Sequence, residues 1–400
     1  MDPTAPERIG LCLSGGGFRA SFFALGALRY LAESQALERV VAVSAVSGGS
    51  IAAAAVADRW TDYQAAGGGA EAFLCAIDEP FRAKVTETSV RRGWIARSVV
   101  AVLPIYGRDD AYASALQTLY EHDQVAELTH HPEFIFTATD LATGRAFRIA
   151  PAYIGSYDYG YIEPTPTGVS LGTAVAASAA FPPSMTIVRL KTRGLPFPEL
   201  APKVLSLVDG GVYDNLGAQW FQGWLADAKR PQAATKPDVT ILVDASGLMG
   251  FADKRFSALG ALKREQSIQY QQSLNARRRP VEGLDRQDPY ISVQSDPRRD
   301  KHPVDPDHQL PSELVAPLAT LRTDLDRFTR EEADLLSYHA YWTLHARLRQ
   351  FQPALAMAAP SWNAFANLSP ERTAELRRAM ELGSHRFFRG IRRRLPWPRT

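Results

Sequence analysis

Two short segments near the N-terminus constrain the chain most. Ile9-Gly10-Leu11-Cys12-Leu13-Ser14 is an apolar run that breaks into Gly15-Gly16-Gly17-Phe18-Arg19-Ala20. Val40-Val41-Ala42-Val43-Ser44-Ala45 breaks in the same way into Val46-Ser47-Gly48-Gly49-Ser50. Each reads as a buried strand, a tight turn and a helix start. Two such units in succession predict strands that lie parallel and are covered on both faces.

The rest of the chain extends that pattern. Phe134–Asp140, Val204–Val208 and Val239–Asp244 are further strand candidates. Helical stretches are expected at Ser21–Glu33, Ser50–Trp60, Ala111–Tyr120, Leu171–Ala180 and Gln219–Lys229. Arg145–Ala150 is placed to pair with Phe134–Asp140 across Leu141-Ala142-Thr143-Gly144. The expected fold is α/β, a mostly parallel central sheet with helices on both faces, followed by a helical C-terminal part. Residues 7–310 form the α/β unit, with a polar surface excursion at about 278–311. Residues 312–383 form the helical part, where Leu314, Leu318, Leu321, Leu325 and Phe328 fall on one helical stripe. Residues 384–400 form a basic tail.

Composition excludes several classes. A formal charge of +2 over 400 residues gives no global field for nucleic acid. Cys12 and Cys75 are the only cysteines, and both sit among apolar residues, so core thiols are expected. The first residues lack a basic stretch followed by an apolar one, so no signal peptide is expected. Ser98–Ile105 is the longest apolar stretch and is far too short to span a bilayer. The expected location is the cytoplasm, with any membrane reached from its surface.

Three elements offer chemistry. Ser47 occupies the bend of a strand–turn–helix elbow, with Ala45, Gly48 and Gly49 as small neighbours. Such a bend pushes a serine outward, over the N-terminal N–H groups of the next helix. An N-capping serine fits the same segment. Gly15, Gly16 and Gly17 can turn backbone N–H groups toward a carbonyl oxygen, as an oxyanion hole does. Gly15, Gly17 and Ala20 also fit a dinucleotide turn. That site needs a carboxylate after the second strand, and Ser44-Ala45-Val46-Ser47 supplies none. Asp209 ends an apolar strand, and Gly210 and Gly211 let the chain turn away and leave its carboxylate accessible or capping the next turn. Asp214-Asn215 reads as a loop-fixing pair, and Asp140 as a turn former.

These segments, in this order, resemble the patatin-like phospholipase family. That family carries a G-G-G-x-R/K-G motif, a G-x-S-x-G elbow and a D-G-A/G aspartate. Ala138-Thr139-Asp140-Leu141-Ala142-Thr143-Gly144 and Ala176-Ala177-Ser178-Ala179-Ala180-Phe181-Pro182-Pro183 are also similar to it, and the likeness runs from about Glu7 to Ser246. Ala20 and Ala45 stand where glycine is usual; alanine fits there only if its φ is negative.

The resemblance implies a three-layer fold and a serine acyl hydrolase. Ser47 and Asp209 would form a dyad, with Gly15, Gly16, Gly17 and Arg19 at the oxyanion hole. Gly48, Gly49, Gly210, Gly211 and Asp140 would support them. It implies a lipid ester substrate, with no metal and no cofactor. Two alternatives accompany this reading. One is a catalytically inactive lipid-binding or regulatory protein on the same fold. The other is a Ser-His-Asp esterase using His302, His308, His339, His345 or His385. The basic, aromatic tail from His385 and the segment Arg91–Val100 suit contact with an anionic membrane.

Overall fold

The computed structural model describes residues 8–100, 107–182, 185–197, 201–222, 230–247, 261, 264, 268, 288–301 and 303–384. The basic tail from His385, along with His302, lies outside them.

Each of the five expected strands forms. They are β1 (Ile9–Leu13), β2 (Val40–Val46), β3 (Glu133–Asp140), β8 (Val204–Asp209) and β9 (Val239–Asp244). β4 (Arg145–Ile149), β5 (Ile154–Ser156), β6 (Gly160–Ile162), β7 (Val188–Lys191) and β10 (Tyr290–Ser292) complete one sheet. Its order is β10-β9-β1-β2-β3-β4-β5-β6, and β8 pairs with β3 and β7. The five strands from β10 to β3 are parallel, as expected. Beyond β3 every pairing is antiparallel, so the sheet is mixed.

Side chains alternate across the parallel strands and feed two cores. Leu11, Leu13, Val43, Phe134, Phe136, Ile241 and Val243 face a large core. It is shared with α1 (Gly17–Glu33), α2 (Gly48–Asp58) and the long α12 (Arg330–Phe351). Cys12, Ala42, Ile135 and Leu242 face a smaller one, closed by Leu216, Trp220 and Phe221 around α10 (Gln219–Gln222). Burial on both faces explains why these strands read as unbroken apolar runs. α3 to α6 (Trp60–Ala65, Gly69–Phe73, Glu79–Glu87, Val90–Val100) and α7 (Arg108–Gln117) lie between β2 and β3. α8 (Leu171–Ser178) and α9 (Gly211–Asp214) flank β7 and β8.

Three expectations are corrected. The polar tract is not wholly a surface excursion: β10 lies inside it, and Ile291 and Val293 are buried. The leucine stripe is not one helix. α11 (Ser312–Ala319) ends before Leu321, and Leu321, Leu325 and Phe328 reach the core from a loop. The cause is a second helix start, the capping box between Thr329 and Glu332 that opens α12. Cys75 is exposed, and only Cys12 is a core thiol. A last helix, α13 (Pro370–Ser384), packs beside α11.

α1 and α12 cross at Gly26. A Cβ there would lie 2.0 Å from Ser337 O. The Ser337 hydroxyl donates to Phe22 O at 2.7 Å and accepts from the buried Arg82 at 2.6 Å. Helix propensity alone favours Gly26→Ala by about 1 kcal/mol. The crossing predicts the reverse, a loss of roughly 1–3 kcal/mol from overpacking. Denaturant unfolding measures the sign.

Candidate active site

The site arises where two strands share one side of β3. β2 runs up that side and pairs Ala45 with Phe136 and Val46 with Thr137. β8 comes down the same side and pairs Leu207 with Asp140, Val208 with Thr139 and Asp209 with Ala138. The two strands therefore meet end to end, and Ser47 and Asp209 converge opposite Ala138. Asp209 arrives from an antiparallel strand, an arrangement that the apolar run Val204–Val208 does not encode.

Ser47 has φ 52° and ψ −118°, a positive-φ conformation that costs a non-glycine residue on the order of 1–3 kcal/mol. Close backbone packing holds it there. A Cβ on Gly48 would lie 2.0 Å from Gly17 O, and one on Gly49 would lie 2.3 Å from Leu13 O. The Ser47 N–H donates to Ser178 Oγ at 3.0 Å. Ser178 Oγ also bonds Ser50 Oγ at 2.8 Å and donates to Thr137 O at 2.6 Å. Ser178 was no candidate in the sequence reading. Its signal is a lone hydroxyl in the apolar run Ala176-Ala177-Ser178-Ala179-Ala180, since a buried hydroxyl needs partners. Ala20 lies in α1 and Ala45 in β2, and neither has positive φ, so alanine fits both places.

The glycine loop faces the elbow. Gly16 has φ 142° and Gly17 φ 57°, and Gly16 is the loop residue that reaches solvent. Gly15 donates its N–H to Asn215 O at 3.0 Å. Gly16 and Gly17, at the start of α1, donate to no protein acceptor among the described residues. Arg19, expected at the oxyanion hole, turns its guanidinium to carbonyls behind the loop, Ala245 O at 2.8 Å, Leu321 O at 2.7 Å and Ala319 O at 3.2 Å. Asn215 lies on the other flank. Its Nδ2 donates to Ser246 Oγ at 2.8 Å, while its Oδ1 is buried without a hydrogen-bond partner against Gly15.

Asp209 is buried, and burial pushes its carboxyl up to about 6. Two donors work against that shift, the Ser47 hydroxyl and the Gly211 N–H at 2.7 Å. A Cβ on Gly210 would lie 2.1 Å from Thr137 O, so only glycine lets the strand turn so close to β3. Asp140 lies on the same edge and fixes its own turn. It accepts the N–H groups of Ala142 and Thr143, the Thr143 hydroxyl and the Tyr159 hydroxyl. Asp214 accepts Leu216 N–H and Gln219 N–H, as a loop-fixing residue does.

Four of the described histidines are engaged elsewhere. His339 is buried with its pKa lowered to about 4 by that burial, against Val293 O. His345 bridges Tyr30 and Asp305. His308 stacks on Trp342, and His122 bonds Asp58. None bonds Ser47 or Asp209 among the described residues. Among them, too, no group of three or more His, Cys, Asp and Glu side chains could hold a metal, and no helix is long and apolar enough to cross a membrane.

No curated protein matches the chain significantly. Among solved structures it is similar to human GIVD cytosolic phospholipase A2, at 12% identity and a TM-score of 0.49, over 88% of this chain and 60% of that one. The same human protein in complex with methyl gamma-linolenyl fluorophosphonate matches at 13% identity and a TM-score of 0.45, over 87% of this chain and 59% of that one. VipD from Legionella pneumophila matches at 14% identity and a TM-score of 0.35, over 86% and 67%. The chain thus spans about 60% of the length of the human structures it is similar to. Residues 11–221 match the Patatin family, described as patatin-like phospholipase. That stretch is more than half of the 400 residues and holds Ser47, Asp209 and the glycine loop, so the chain belongs to the patatin-like phospholipase family.

Proposed function

We propose that the chain is a serine acyl hydrolase that cleaves acyl esters of membrane lipids through a Ser47–Asp209 dyad. The observation that carries this reading is the junction opposite Ala138, where a strained serine and a buried aspartate converge with no histidine bonded to either among the described residues. In this reading Asp209 takes the proton from Ser47 Oγ as the oxygen attacks the ester carbonyl. The N–H groups of Gly16 and Gly17 receive the oxyanion. The C–O bond to the alcohol then breaks, and the alcohol leaves with the proton held by Asp209. Water next attacks the acyl-enzyme, with Asp209 again taking a proton, and the fatty acid is released as Ser47 recovers its hydrogen. Gly48, Gly49, Gly210, Gly211 and Ser178 hold the two reacting side chains in register, and Asp140 holds the turn beside them.

Ser47→Ala is expected to lower kcat on a short-chain soluble ester by at least about a thousandfold. Asp209→Asn should lose nearly as much, and the double variant little more, because the two groups act as a unit. Single replacement of each histidine should leave the rate within a few-fold. A folded Ser47→Ala protein with unchanged esterase activity would overturn the reading. Loss on one histidine change, with the fold intact, would point to a triad instead.

The raised pKa of Asp209 predicts two pH effects. Only its ionised form accepts a proton, so kcat/KM should fall about tenfold per pH unit below an apparent pKa of about 6. An acid limb near pH 4 would contradict the assignment. The folded state also binds this proton more tightly than the unfolded chain does. Stability from this group is therefore full below the ordinary aspartate range and declines as pH rises to about 6. Asp209→Asn removes that cost, up to about 3 kcal/mol. Its melting temperature relative to the parent should therefore be higher at pH 8 than at pH 4.

A further inference from the structure

Among the described residues, eight large apolar side chains are exposed, and five of them share one region. Leu141 (51% exposed), Tyr157, Ile187, Val204 and Val212 lie on the edge of the sheet that holds Ser47 and Asp209, whereas Ile95, Ile268 and Leu382 lie elsewhere. The register explains this. β3 continues past the level of Ser47, and β8 descends from Val204 to Asp209 beside it. The β3–β4 turn and the β7–β8 hairpin therefore stand above the site. From Val204 to Asp209 is five residues, roughly 17 Å of strand.

The tip combines apolar and cationic groups. Leu141 donates its N–H to Ser206 O at 3.0 Å, which places the β3–β4 turn against β8. Lys191 pairs with Val204 across the hairpin, so the two share its outward face. Arg193 and Lys203 are exposed on the connection between those strands. Lys191, Arg193 and Lys203 form no ion pair among the described residues; residues 198–200, which include Glu199, lie outside them. Beyond β4, the Arg145 guanidinium lies over the Tyr157 ring, 5.5 Å from its centroid, and pairs with Asp158 at 3.5 Å, so it adds no net charge to the tip. Ile187 and Val212 extend the apolar exposure from the hairpin to the residues after Asp209.

We propose that this projecting edge, the β3–β4 turn with β7, β8 and the described residues Arg193 and Lys203 beside them, docks the protein on an anionic lipid surface. The proposal rests on the lipid-hydrolase reading of the site for its partner. Apolar side chains at the tip enter the interface while Lys191, Arg193 and Lys203 meet lipid phosphates and carboxylates. The edge then holds the Ser47–Asp209 junction about half a bilayer's hydrocarbon thickness from the membrane. A lipid reaches it along Ile187 and Val212.

The test uses the full chain, with sedimentation against phosphatidylserine-containing and pure phosphatidylcholine vesicles at low salt. Lys191→Gln, Arg193→Gln and Lys203→Gln combined should weaken binding to the phosphatidylserine vesicles by roughly a hundredfold, at about fivefold per cation. Leu141→Asp alone should weaken binding to both vesicle types several-fold. Both variants should keep the parent's rate on a soluble ester, which also shows that they fold. A loss under tenfold in the triple variant overturns the proposal. So does a parent that binds both vesicle types equally, or binds neither. If the parent hydrolyses no soluble ester, the hydrolase reading fails, while vesicle binding still decides the docking edge.

Discussion

β3 is the strand on which the site depends. Its eight residues are buried throughout, and one side of it is shared by two strands running in opposite directions. A continuous partner strand there would have buried Ser47 in a ladder. At the end-to-end junction, Val46 pairs with Thr137 and Asp209 with the next residue, Ala138, and the chain turns away at the elbow on one side and at Gly210 on the other. The cost is very close backbone packing. The carbonyls of Gly17, Leu13 and Thr137 lie where side chains of Gly48, Gly49 and Gly210 would be. In a helix or strand interior these glycines would weaken the element by roughly 0.5–1 kcal/mol each. Here they are the condition for bringing Ser47 and Asp209 together.

The same junction sets the electrostatics. A carboxylate at the end of a buried strand loses most of its hydration, and only the Gly211 N–H and the Ser47 hydroxyl offset this. In the proposed chemistry that is useful. An aspartate near 4 would be a feeble base toward a serine hydroxyl, whereas one near 6 is stronger yet still ionised at neutral pH. No guanidinium, ammonium or imidazole is among the causes of its shift. Arg19, the nearest charged residue in the sequence motif, is occupied by the carbonyls behind the glycine loop.

Much of this was legible in the sequence, for identifiable reasons. The parallel strands are buried on both faces, so they read as apolar runs. The elbow and glycine loop need small residues at fixed places, so they read as motifs. Pairing direction has no such signature. Val204–Val208 is as apolar as Val239–Asp244, yet one is antiparallel to β3 and the other parallel to β1. β10 is only Tyr290–Ser292, too short to stand out within a polar tract. The leucine stripe from Leu314 to Phe328 has helical spacing, but a loop can bury the same residues, and the Thr329–Glu332 capping box decides where the helix begins. The role of Arg19 was hidden because it depends on carbonyls that lie more than two hundred residues away.

That last point bears on how much of the chain the site needs. The family match ends at Phe221, yet the glycine loop is held by residues beyond it. Ala245 O and Leu321 O anchor Arg19, and Thr323 O lies 1.8 Å from where a Cβ of Gly17 would be. Arg322 extends the brace: its guanidinium pairs with Glu332 at 3.0 Å, a residue of the capping box that starts α12. α12 in turn crosses α1 at Gly26, and α1 begins at Gly17. The loop, α1, α12 and the segment between α11 and α12 thus form a closed ring of contacts. Glu332 is thus joined to the surroundings of Gly17 through Arg322 and its neighbour Thr323. Residues beyond the family match therefore pack behind the glycine loop whose N–H groups the proposed oxyanion hole requires.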